Sequence, residues 1–318
     1  MEVRKVNGFF IIFVIGYIGL SVVCASIMAY AQNSGIAVPD WIQYVMSEGI
    51  ILLIAIIYMI VQKIDPIREI PYKRIGIVDV ILSLVAGYCL IPAVLLISNL
   101  SMLFSTNYLE EGTTTLLTYP FAMQVILLAV IPPLVEELIF RGIFFGSYRK
   151  AGMTGAALMS GLLFGCFHLN INQALYAFVM GIVFAYMVEA TGSLWSSVIA
   201  HFAVNTYSIG IVQILKMAGI YAQDGSVSET FENAESVAGQ STAVTLVQIA
   251  MLAVIAAAFM MLAVLCIRTM AKRHGNLEKM KIQKVKLSHI KNYFTAPVIV
   301  GLVVCVMYMI MLEFSGTL

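Results

Sequence analysis

What this 318-residue chain has least of is charge: Asp, Glu, Lys and Arg make up 11% of it, against 61% hydrophobic residues. Mean hydropathy is +0.96. That much apolar surface excludes a soluble globular domain and implies a polytopic membrane protein. A net charge of +1 argues against nucleic acid as a partner. Cysteine is scarce, and the five present (Cys24, Cys89, Cys166, Cys266, Cys305) lie mostly inside apolar runs without CxxC spacing. Neither a disulfide framework nor a cysteine-zinc cluster is expected from them. Only four aspartates occur, Asp40, Asp65, Asp79 and Asp224, all near loops or span ends, which excludes a membrane aspartyl dyad. No His-Glu-x-x-His is present, so a zincin-like site is not supported. No internal repeat suggests inverted transporter halves.

What is there is a series of long apolar runs. Hydropathy predicts about nine spans, near 8–30, 46–62, 76–98, 120–147, 153–169, 172–189, 193–215, 242–267 and 294–313. Most connections are short, so the expected fold is all-α, a single polytopic transmembrane helix bundle over 1–318. Arg4-Lys5 and the later Ala29-Tyr30-Ala31 resemble a signal peptide's flanks, but the run between them is long enough to span. A retained first helix is expected.

Basic residues concentrate at Arg4-Lys5, at Lys63, Arg68, Lys73 and Arg74, at Arg149-Lys150, and from Arg268 to Lys291. These stretches alternate with loops holding Asp40, Glu110-Glu111, and Asp224, Glu229, Glu232 and Glu235. The alternation predicts a cytoplasmic N-terminus, an external C-terminus and a basic cytoplasmic loop at 268–292. That loop is read as fixing orientation, with anionic headgroups of membrane lipid as the alternative role.

Ionisable residues well inside the spans are few: Glu136, Glu137, Arg141, His168 and His201. His274 and His289 fall in the basic loop and read as solvated, while Glu48, Asp79, Glu189, Lys216 and Glu313 fall at span ends. A charge near the bilayer centre costs about 2.5–3.5 kcal/mol, so such residues are kept for a partner or a task. Glu137 and Arg141 are spaced i,i+4 and can pair on one helix face. Glu136 points about 100° away from Glu137 and about 140° from Arg141. It is the less neutralised carboxylate, placed to act as a general base. Pro132-Pro133 should kink the same span just before it.

Counting about 1.5 Å per residue from the cytoplasmic ends puts Glu136 at about 20 Å, His168 at about 22 Å, His201 at about 12 Å and Asn205 at about 18 Å. Three spans thus bring polar groups to a similar level. A Ser160–His201 nucleophile pair is not favoured, since small residues such as Ser160 there pack helices. Cys166 falls on the side of its helix opposite His168.

Glu136-Glu137-x-x-x-Arg141, Phe164-x-x-x-His168 and His201-x-x-x-Asn205 resemble the three motifs of the CAAX protease and bacteriocin-processing (CPBP) family, also called Abi, which includes the type II CAAX prenyl endopeptidases. Thr191-Gly192-Ser193-Leu194-Trp195 is similar to the family's approach to its third motif. The likeness covers roughly 120–210, the expected catalytic core. It implies an intramembrane endopeptidase acting on a peptide or membrane-protein substrate. Glu136 and His168 would hold and deprotonate a water, and His201 and Asn205 would stabilise the oxyanion. Glu137, Arg141 and Phe164 would support them. No cofactor is expected by this reading. An older proposal for the family is a metalloprotease, in which Glu136, His168 and His201 would hold zinc.

Two other functions use the same polar cluster: a non-enzymatic immunity or scaffold protein, and a proton-coupled transporter. The expected location is an integral membrane one, the plasma membrane of a bacterium. A wet cavity should reach the base, and the basic rim suggests access from the cytoplasmic side.

Overall fold

The computed structural model describes residues 3–106, 119–219, 242–285 and 287–315. The acidic loop residues Glu110-Glu111, Asp224, Glu229, Glu232 and Glu235 lie outside the described residues. Every regular element described is helical. Eight helices are long and apolar enough to cross a membrane: α1 (Val3–Asn33), α2 (Trp41–Val61), α3 (Ile77–Ser101), α4 (Phe121–Ala151), α6 (Ile171–Thr191), α7 (Trp195–Met217), α8 (Thr242–Arg273, apolar from Leu246) and α9 (Ala296–Ser315). The protein is an integral membrane protein built as a helical bundle. The expected fifth span is a shorter helix, α5 (Met153–Phe167). Its 15 residues give about 22 Å of rise, short of a bilayer core of about 30 Å.

The end of α5 is irregular, and it sets the position of a motif histidine. His168 caps the helix C-terminus, Leu169 adopts a left-handed φ of 55°, and the Asn170 side chain accepts from Gln173 N to start α6. Irregular backbone inside a membrane protein is tolerated where it is packed in protein or lines a cavity. Here it does the second: His168, Leu169 and Asn170 line a cleft of about 460 Å³.

Glycines let the motif helices approach. A Cβ on Gly181 of α6 would lie 2.6 Å from Gly161 Cα of α5, and one on Gly165 would lie 2.5 Å from Ala174 O. Likewise Gly87 of α3 lies directly against the Ala200 carbonyl of α7. One apolar cluster joins α1, α2, α4, α5 and α9, centred on rings such as Phe13, Phe140, Phe144 and Phe167. A second joins α3, α6, α7 and α8. The motif helices lie where the two meet.

Helix ends sort onto two faces as the alternating charge pattern requires. On one face Asn7 accepts from Tyr148 Oη at 2.7 Å and donates to the Asn292 carbonyl at 2.8 Å. On that same face Arg149 pairs with Glu189 at 2.8 Å, and Asn276 donates to the Ala190 carbonyl. Buried Asp79 receives Arg273 at 3.2 Å and His274 at 3.0 Å. His274, expected to be solvated, is therefore docked on the bundle. At the opposite face Asn172 joins Ser98 and Ser101, and the Thr106 amide donates to Glu313.

Candidate active site

The site starts in α4, which is not a uniform helix. π-helical turns at Val125–Val130 and Leu138–Phe145 flank the α-helical segment Ile131–Glu137. π-turns inside α-helices are frequently found at functional sites. Around Pro132-Pro133, where a kink is expected, the helix changes type in this way. The wide turns present Glu136 and Glu137 to different neighbours, and Ser160 donates to the Phe140 carbonyl at 2.8 Å. Ser160 is fully buried by that bond and has a packing role.

Glu137 joins two motifs. Its Oε1 accepts from Arg141 Nη1 at 2.9 Å and from His201 Nδ1 at 3.1 Å. Arg141 has no exposed surface, and its Nε and Nη2 have no hydrogen-bond partner. Aromatic faces stand in for acceptors: the guanidinium carbon lies 4.2 Å from the Phe164 ring centroid and 5.2 Å from that of Phe184. The absence of a side chain at Gly181 leaves room for it, since a Cβ there would lie 3.1 Å from Nη2.

Glu136 is the freer carboxylate, as the helical wheel predicts. Its Oε2 lies 3.7 Å from His201 Nε2, and its side chain keeps 14% exposure where Glu137 keeps none. One neighbour is not marked by the sequence. Glu48 of α2 is close enough to Glu136 for the two carboxylates to interact electrostatically, and its Oε2 is buried without a hydrogen-bond partner. Hydropathy puts Glu48 at a span end because the apolar run begins at 46, whereas α2 starts at Trp41.

His168 Nδ1 contacts the Phe164 carbonyl at 2.7 Å. A carbonyl only accepts, so Nδ1 carries the proton and neutral His168 presents Nε2 as an acceptor. Phe164 bridges the two histidines edge-on, its centroid 4.7 Å from His168 and 5.8 Å from His201. Asn205, one turn beyond His201, donates Nδ2 to the Leu128 carbonyl at 2.9 Å. Glu136, Glu137, Arg141, Phe164 and His201 are thus brought into direct contact. His168 joins through Phe164, and Asn205 through the backbone of α4. The cleft beside His168 is walled by Tyr17 and Ser21 of α1, Gln173 of α6 and Tyr308 of α9. It opens toward the face that holds Glu313, away from the basic rim that the sequence suggested.

A zinc ion would need Glu136, His168 and His201 to converge. Among the described residues no three His, Cys, Asp or Glu side chains form a metal-ligand group. His201 and His168 engage Glu137 and the Phe164 carbonyl through Nδ1, which leaves the Nε2 atom of each free.

Residues 118–207 match the family described as Type II CAAX prenyl endopeptidase Rce1-like. Over 88 residues the chain is 33% identical to the Bacillus subtilis (strain 168) protein "Putative membrane peptidase YdiL". That stretch is 27% of this chain and 36% of the relative, so the match spans little more than a third of the relative's length. No solved structure matches the chain significantly. The segment 118–207 carries every motif residue from Glu136 to Asn205, and over it the chain is similar to the family described as Type II CAAX prenyl endopeptidase Rce1-like.

Proposed function

We propose that this protein is an intramembrane endopeptidase of the bacterial plasma membrane that cleaves a peptide or membrane-protein substrate. The observation that carries this reading is the approach of Glu136 to His201 at 3.7 Å, with His201 anchored from behind by the Glu137–Arg141 pair. A free carboxylate beside a fixed imidazole, in a protein interior, is an arrangement suited to general-base attack by water.

In this mechanism Glu136 takes a proton from water that also donates to His168 Nε2, and the oxygen attacks the scissile carbonyl. The developing oxyanion is met by His201 and Asn205. Because His201 Nδ1 donates to Glu137, donation from Nε2 requires the imidazolium form, whose counter-charges are Glu137 on one side and Glu136 on the other. Loss of one oxyanion donor costs about 2.7–4 kcal/mol of barrier. Collapse of the intermediate returns the proton from Glu136 to the leaving amine. The relative's name, "Putative membrane peptidase YdiL", and the matched endopeptidase family support the peptidase reading.

The test compares the membrane proteome of cells carrying the wild type with that of cells carrying Glu136→Gln. A C-terminal or leader fragment present only with the wild type is expected. If Glu136→Ala and His168→Ala both stay folded in detergent and both still perform the cellular role, catalysis is not the function. Activity should survive exhaustive chelation and dialysis. Loss restored only by zinc would overturn the Glu–His water mechanism.

A further inference from the structure

The paired prolines of α4 have an effect that reaches across the bundle. A helical carbonyl at position i takes its proton from the amide at i+3, i+4 or i+5. For Leu128 these are Ile131, Pro132 and Pro133. The Ile131 amide bonds the Ile126 carbonyl, and neither proline has an N–H to give. The sequence therefore strips the Leu128 carbonyl of every donor in its own helix. An unpaired carbonyl inside a membrane protein is costly, and Asn205 Nδ2 supplies the missing bond at 2.9 Å.

We propose that Pro132 and Pro133 are positioning residues for Asn205: by leaving the Leu128 carbonyl without a helical donor, they fix the Asn205 amide beside His201 in the site. An amide is planar and its nitrogen carries two protons. With one committed to Leu128, the direction of the other is set by the plane, and it remains available to an oxyanion. Leu128, Pro132 and Glu136 are spaced four positions apart, so the same short stretch of α4 aims the base and holds the opposing donor. This role rests on the endopeptidase reading.

A double-mutant cycle between Asn205→Ala and the pair Pro132→Ala/Pro133→Ala tests it, read first by thermal unfolding in detergent. Alanines at 132 and 133 return donors to Leu128. Asn205→Ala should therefore lower the wild-type midpoint by about 2–4 °C but leave the midpoint of the alanine chain nearly unchanged. Equal shifts in both backgrounds would overturn the proposal, because Leu128 would then not depend on the prolines. Pro132→Ala alone, the milder change, should give part of the coupling.

Turnover supplies the second reading, with a reporter peptide copied from a cleavage product found in the proteomic comparison. The two alanines should lower kcat at least tenfold with KM little changed, and should cost nothing further in the Asn205→Ala chain. Coupling in stability with unchanged kcat would reduce the pair to a structural brace and sink the positioning role. If Glu136→Gln has no effect on cleavage, the endopeptidase reading fails and the positioning role fails with it. The stability cycle would still report whether the prolines govern the Leu128–Asn205 bond.

Discussion

Glu136 and Glu137 are neighbours in the chain with opposite circumstances, and the difference was legible from about 100° of helix rotation. Spacing alone pairs Glu137 with Arg141 and leaves Glu136 free, as the 2.9 Å and 3.7 Å contacts bear out. Two things were not legible. The bond from His201 to Glu137 joins residues 64 positions apart, and the approach of Glu48 is hidden because its helix begins earlier than hydropathy places it. The pairing makes separable predictions for the two glutamates. Glu136→Gln keeps size and polarity, so the protein should unfold at or above the wild-type temperature while turnover falls about 10²–10⁴-fold. Glu137→Ala strands a fully buried guanidinium and should destabilise the fold by about 3–5 kcal/mol. Thermal unfolding in detergent, run beside the activity assay, distinguishes them. A stable Glu137→Ala chain would show that the Phe164 and Phe184 faces suffice to hold Arg141.

At the scale of elements, the sequence located each motif helix but not its irregularity. The apolar run at 153–169 reads as a full span because hydropathy does not register a left-handed residue, and Leu169 is one. Chain reversal there leaves His168 at a helix end beside the 460 Å³ cleft, so the imidazole borders space that water can fill. An irregularity of α4 around Pro132-Pro133 was legible because proline lacks a donor. Its π-helical form was not, since that depends on which carbonyls find partners elsewhere. The contact between α5 and α6 follows from Gly161, Gly165 and Gly181, whose small size brings the helix backbones together. Gly181→Ala would place a methyl against Gly161 and against Arg141 Nη2. We expect about 1–3 kcal/mol of lost stability, together with a drop in turnover as Arg141 shifts from Glu137. Gly210→Ala, which meets nothing within 4 Å, is the control and should leave both readouts unchanged.

For the whole molecule, orientation follows from two independent signs. The basic stretches at Arg4-Lys5, Lys63–Arg74, Arg149-Lys150 and Arg268–Lys291 alternate with acidic loops along the chain. Spatially, Asn7, Asp79, Tyr148, Arg149, Glu189 and Arg273 interlock at one face, while Ser98, Thr106, Asn172 and Glu313 meet at the other. The charge pattern leads us to expect the first face in the cytoplasm, and the interlock makes all its helix ends share that side or none of them. Single cysteines introduced into a chain whose five native cysteines are replaced decide between the two cases. A thiol at Lys73 or Lys150 should react with a membrane-impermeant maleimide only after the membrane is opened. A thiol at Asn33 or Thr106 should react in intact cells. The reverse pattern would invert the whole bundle and put the cleft beside His168 toward the cytoplasm. A mixed pattern would break the interlocked face.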